Sequence, residues 1–124
     1  MSSSPTKPEG RTVLCIDDDE VALRVRKLLL GSAGYDVMTA SSGEAGLDLL
    51  RDQPVDLVIA DHFLSAKTGT EIAREMKALK PSVPILIVSA SPERPPGLEF
   101  ADGFLPKGEA PAVLLAAVEK WLQG

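Results

Sequence analysis

Residues 12–20 read Thr-Val-Leu-Cys-Ile-Asp-Asp-Asp-Glu: five nearly all-apolar residues, then four acids in a row. A short apolar run without alternation suits a strand covered on both faces, as in a parallel sheet. A helix is predicted to follow directly. Asp19 is placed to cap it, and Val21, Val25, Leu28 and Leu29 recur at i, i+4, i+7 and i+8, predicting the buried face. Gly34 supplies the C-terminal stop.

The same unit repeats down the chain. Tyr35–Ala40 reads as a strand, and Ser41 or Ser42 caps a helix whose inward stripe is Gly43, Gly46, Leu47 and Leu50. Val55–Ala60 is a buried strand ending at Asp61. Gly69–Leu79 is a third helix with Ile72, Met76 and Leu79 inward. Pro84–Ser89 and Gly103–Leu105 are two more strands, and Pro111 opens a last helix running to about Gln123. Strands alternating with helices predict an α/β fold, a doubly wound parallel sheet with helices on both faces. Right-handed crossovers leave few topologies, and chemistry in such folds gathers at the C-terminal strand ends.

Composition agrees and excludes alternatives. The 124 residues are 44% apolar and 25% charged, which predicts one globular domain over 11–124 behind a polar, proline-bearing arm at 1–10. A net charge of −5 disfavours direct binding to nucleic acid or anionic membrane. The single cysteine, Cys15, excludes an intrachain disulfide and fits a reducing, cytoplasmic setting. No apolar run approaches the ~20 residues that span a bilayer.

The strand ends carry a set of residues that packing alone does not require. Asp17 and Asp18 follow the first strand, Asp61 the third, Ser89 the fourth and Lys107 the fifth. Neighbouring strands lie ~4.8 Å apart. Carboxylates that close repel by about 3 kcal/mol per pair at an effective dielectric near 20. Cations are therefore needed, and Lys107 with a hard divalent ion such as Mg2+ would supply them. A metal, an amine and a hydroxyl around a carboxylate form a phosphoryl-transfer site, in which the carboxylate can act as nucleophile.

Leu14-Cys15-Ile16-Asp17-Asp18, the strand end at Asp61, Leu86-Ile87-Val88-Ser89-Ala90 and Gly103-Phe104-Leu105-Pro106-Lys107 together resemble the receiver domains of two-component response regulators. The resemblance covers about Thr12 to Gln123 and implies a five-stranded sheet of order 2-1-3-4-5. It implies that Asp61 is the phosphoacceptor. It also implies that Asp17, Asp18, Asp61 and the Phe63 backbone carbonyl hold Mg2+. Ser89, Ala90, Lys107 and Phe104 are then the phosphoryl-binding and switch positions. The implied donor is a phosphohistidine on a sensor histidine kinase or phosphotransfer protein. The chain is expected to work as a switch and not as an enzyme.

Several positions depart from the family's pattern. Leu64 and Ser65 stand where it commonly has Met-Pro, and Gly108 stands where a proline usually follows the lysine. Phe63 is apolar where many members are polar. The largest departure is SASPERPPGLEFADGF, residues 89–104: its prolines and Gly97 break helices, so the family's fourth helix is expected to be absent or cut to one turn. With that helix curtailed, Val113, Ala116 and Ala117 are left over from the core face formed by Leu114, Leu115, Val118, Trp121 and Leu122. They predict an apolar patch by the last strand and last helix, suited to a second copy or an effector.

The remaining candidates have plain readings. Asp19 and Glu20 are cap and first-turn charges; Cys15 and Trp121 are core; His62 is a surface loop residue. Arg24, Arg26, Lys27, Arg74, Lys77 and Lys80 are solvated faces. Two other functions compete. Asp17-Asp18-Asp19-Glu20-Val21 superficially matches the first motif of haloacid-dehalogenase-type phosphohydrolases, but no acidic pair follows Lys107 and Asp61 would lack a role. A receiver-shaped interaction module that does not use phosphate is the other. The chain ends soon after the last helix, so it is expected to lack an effector domain.

Overall fold

The apolar runs become strands and the periodic segments become helices, with boundaries close to those predicted. The computed structural model describes residues 11–64, 66–90, 95 and 97–123. The arm at 1–10, Ser65 and much of the proline cluster lie outside the described residues. In chain order the elements are β1 (Thr12–Ile16), α1 (Glu20–Ser32), β2 (Asp36–Ala40), α2 (Gly43–Asp52), β3 (Leu57–Asp61), α3 (Gly69–Leu79), β4 (Ile85–Ser89), a 3-10 turn (Leu98–Phe100), β5 (Gly103–Pro106) and α4 (Pro111–Gln123). All strand pairs are parallel and the order is β2-β1-β3-β4-β5.

The sheet separates two apolar layers. Leu14, Ile16, Val58, Ala60, Ile85 and Ile87 pack with Leu50, Ile72 and Met76 of α2 and α3. Val13, Cys15, Leu57, Ile59, Leu86 and Val88 pack with α1 and α4 through Leu23, Leu30, Leu114, Val118 and Leu122. The caps are those predicted: Asp19 accepts from Val21 and Ala22 amides, and Ser42 from that of Ala45. Thr68 and Glu71 add a reciprocal capping box at α3. No helix among the described residues is long and apolar enough to cross a membrane.

Two helix faces differ from the periodicity reading. On α1 the buried residues are Leu23, Arg26 and Leu30, while Val21, Val25 and Leu28 are exposed, Leu28 by 73%. Both stripes have helical spacing. Arg26 carries a charge, so hydropathy alone favours the other one. On α3 the buried arc is centred between Ile72 and Ala73, which puts Leu79 at its edge and leaves it exposed.

The connection from β4 to β5 is short, as expected, and the described part holds one 3-10 turn. That turn sits on α3. Gly97, at φ 87°, lies against Thr70, and the Arg74 guanidinium stands 5.6 Å over the Phe100 ring. Asp102 then ties β5 to β4 and α3: its Oδ2 accepts from the Ile85 amide at 2.8 Å and pairs with Lys77 Nζ at 2.7 Å. Lys77 is thus not a solvated charge.

Candidate functional site

Strand register brings the acids together. Ile16 pairs with Ala60, so Asp17 and Asp61 leave adjacent strands at the same level. Asp17 continues the ladder through its amide to the Ala40 carbonyl at 3.1 Å. Its Oδ1 accepts from the Asp19 amide at 2.9 Å, just before the α1 cap. Backbone and side chain are therefore both held. Asp17 and Asp61 are buried and Asp18 is exposed, yet one ligand oxygen from each lies within 4.8 Å of the others.

Lys107 reaches into this cluster from the end of β5. Its Nζ stands 2.9 Å from Asp17 Oδ2 and 3.3 Å from Asp61 Oδ2. Its amide donates to the Ser89 carbonyl at 2.6 Å, which fixes the loop beside the strand end. The turn that follows needs Gly108, at φ 93°. Arg26 enters from α1, its Nη1 3.4 Å from the same Asp17 Oδ2. Sequence reading missed this residue. The available signal was the spacing of Leu23, Arg26 and Leu30 on one face.

The electrostatics follow from burial. Burial raises the Asp61 carboxyl above its ordinary range, the Asp17 charge raises it further, and Lys107 pulls it back in part. For the Lys107 ammonium, burial pulls down, but the hydrogen bond and charge of Asp17 and then Asp61 outweigh it, so the net shift is up. Asp61 Oδ1 is buried and has no hydrogen-bond partner among the described residues. A buried acceptor without a donor calls for one. Three carboxylates offering oxygen ligands within 4.8 Å of one another suit a hard divalent cation such as Mg2+. Thiol chemistry does not suit the site, since burial pushes Cys15 up to about 12.

The other predicted positions lie around this centre. Ser89 is buried at the end of β4, one strand over from Asp61, and Ala90 after it is exposed. Phe104 on β5 pairs with Ile87 and packs on the α2/α3 side. Phe63 is 52% exposed and bridges Thr68 across the loop after β3. His62 is buried, not the surface residue expected. Its amide extends the β3–β4 pairing to the Val88 carbonyl at 2.8 Å, and the Gly69 amide closes onto its carbonyl at 2.8 Å. The His62 ring meets Phe63 edge-on, centroids 5.0 Å apart.

Gly69 makes the loop after Asp61 possible. A Cβ there would stand 2.5 Å from the Asp61 carbonyl oxygen and 2.9 Å from His62 Cα. Gly69→Ala is expected to cost about 2 kcal/mol in urea denaturation, because the obstructing atoms are backbone. A stability within 0.5 kcal/mol of wild type, the ordinary range for surface changes, would show that the loop yields freely.

Comparisons with known proteins converge on one family. A family model described as "Response regulator receiver domain" matches residues 13–119. The alkaline phosphatase synthesis transcriptional regulatory protein PhoP of Bacillus subtilis is 32% identical over 118 residues, covering 92% of this chain and 49% of that protein. The transcriptional regulatory protein GlrR of Escherichia coli is 38% identical over 78 residues, 63% of this chain and 18% of that one. The chain thus spans half or less of the length of these curated relatives. Among solved structures, a CheY-like receiver domain protein from Methanospirillum hungatei superposes with a TM-score of 0.86 at 25% identity, over 91% of this chain and 94% of that one. The response regulator TrrA of Thermotoga maritima, solved in complex with Mg(2+)-BeF, gives 0.86 at 27% identity over 90% and 99%.

Proposed function

The chain belongs to the response regulator receiver domain family, and on that premise we propose that Asp61 is its phosphoacceptor. The observation that carries this is the Asp61 carboxylate itself. One oxygen faces the Lys107 ammonium and the other is buried with no hydrogen-bond partner among the described residues, and a ligand oxygen of this carboxylate lies within 4.8 Å of one from Asp17 and one from Asp18. In the proposed transfer, an Asp61 oxygen forms a bond to the phosphorus of a phosphohistidine. The phosphorus–nitrogen bond breaks, and the imidazole leaves with the electron pair. Lys107 pairs with the added charge, and Ser89 donates its hydroxyl to a phosphoryl oxygen. Phe104 and Ala90 follow the movement of the Ser89 loop.

Asp17, Asp18, Asp61 and the Phe63 carbonyl would hold Mg2+, which supplies charge to the phosphoryl oxygens when bound. The complex of the Thermotoga relative with Mg(2+)-BeF supports that assignment. The donor is proposed to be a sensor histidine kinase or phosphotransfer protein. The output face is proposed to be β5 and α4, where Val113 and Ala116 are exposed and apolar. The family match and the response-regulator relatives favour a switch over a phosphohydrolase or a phosphate-independent module.

The test is intact-mass spectrometry after acetyl phosphate and Mg2+, with peptide mapping. A gain of one phosphoryl group on the peptide bearing Asp61 is expected. No gain from acetyl phosphate or a phosphorylated kinase would overturn the reading.

Phe63 bears on how long the phosphoryl group stays. Its exposed ring stands two residues after Asp61 and is braced against His62. An apolar cover there keeps water from the phosphorus. Phe63→Asn is therefore expected to shorten the dephosphorylation half-life severalfold, followed by loss of the mass adduct with time. A half-life unchanged or lengthened would contradict the shielding role.

A further inference from the structure

Arg26 is buried where a guanidinium is costly unless a carboxylate answers it. Asp17 answers it, and both oxygens of Asp17 are then engaged. Its Oδ1 takes the Asp19 amide at 2.9 Å, and its Oδ2 takes Lys107 at 2.9 Å and Arg26 at 3.4 Å. Asp61 Oδ1, by contrast, has no donor among the described residues. A divalent ion drawn to the three carboxylates meets one that two cations already neutralise, and like charges in a poorly screened pocket repel. Arg26 and Lys107 also line a cavity of about 260 Å3 between α1, β5 and the start of α4. The guanidinium therefore has room to withdraw.

We infer that Arg26 is a positioning residue that holds Asp17 in the metal-free protein and competes with the divalent ion for it, raising the magnesium concentration at which the site fills. This rests on the reading of Asp17, Asp18 and Asp61 as metal ligands.

The test is isothermal titration of the whole chain with MgCl2, for wild type, Arg26→Met and Arg26→Lys. Arg26→Met is expected to bind Mg2+ roughly tenfold more tightly, a difference of about 1.4 kcal/mol, and Arg26→Lys, which keeps the charge, to stay close to wild type. Arg26→Met should also melt lower than wild type without metal yet gain more in Tm on adding Mg2+. Lost packing alone would not produce that pair of shifts. If Arg26→Met does not fold, Arg26→Gln carries the same comparison. Normal binding by wild type with unchanged or weaker binding by the neutral variant would overturn the inference alone. Binding by neither protein would overturn the metal-site reading and the inference with it. Binding only by the neutral variant would support both.

Discussion

Asp61→Asn is expected to take up no phosphoryl group and, in magnesium-free buffer at neutral pH, to melt higher than wild type. The first effect follows because a carboxamide oxygen is not a competent nucleophile for phosphorus. The second follows from the site's charge. Burial and then Asp17 raise the Asp61 carboxyl, so the folded protein disfavours its ionised form. A raised acid contributes stability that is present below its unfolded pKa and is lost as pH rises through its folded pKa. At neutral pH an ionised Asp61 is therefore a net cost. Asparagine keeps the shape and removes the charge. The gain is about 3–6 °C in Tm, which for this size corresponds to roughly 1 kcal/mol. Wild-type Tm without metal should fall as pH rises out of the carboxylate range, and the fall should be shallower in the variant. Mass spectrometry and melting curves check both parts. A phosphorylated Asp61→Asn protein, or one that melts lower than wild type under those conditions, would be incompatible with Asp61 as a buried nucleophile.

Lys107→Ala acts in the opposite direction. It leaves Asp17 and Asp61 facing each other across the strand ends without the ammonium that now stands 2.9 and 3.3 Å away. Removing one partner of a buried pair costs about 3–5 kcal/mol. Lys107 keeps partial access to solvent, so about 2 kcal/mol is expected. Urea denaturation without metal measures it. Added Mg2+ should recover much of the loss, because a divalent ion supplies the missing charge. The pH dependence has a definite sign. The raised Lys107 contributes stability that is present below the ordinary lysine range and fades as pH rises through its folded pKa. The gap between wild type and variant should hold from neutral into moderately alkaline buffer and close at strongly alkaline pH. It should also shrink toward acid pH, as Asp61 takes up its proton. Equal stability of the two proteins in metal-free neutral buffer would show that the carboxylates do not depend on this lysine.

Much of the fold was legible because it rests on local rules. The runs at 12–16 and 85–89 lack alternation because both faces are covered, and Asp19, Ser42 and Pro111 mark helix starts by their own chemistry. Among the described residues before β5 only a 3-10 turn forms, in keeping with the helix-breaking prolines and Gly97 of the sequence. The acids and the lysine of the site were legible because residues at parallel strand ends must converge on one edge. His62 was not. Its burial depends on the β3–β4 pairing running one residue further and on Gly69 closing over it, neither of which is written in the neighbouring residues.

The α1 helix marks the boundary most clearly. By itself the sequence determined the element order, the helix starts and the set of strand-end acids, since these follow from backbone preference and apolar spacing within a few residues. Only the tertiary structure decided which stripe of α1 turns inward. Leu23, Arg26 and Leu30 win over Val21, Val25 and Leu28 because Asp17 neutralises the guanidinium, so a charged side chain can join an apolar layer. Such a contact exists only once the strand end and the helix face are brought together.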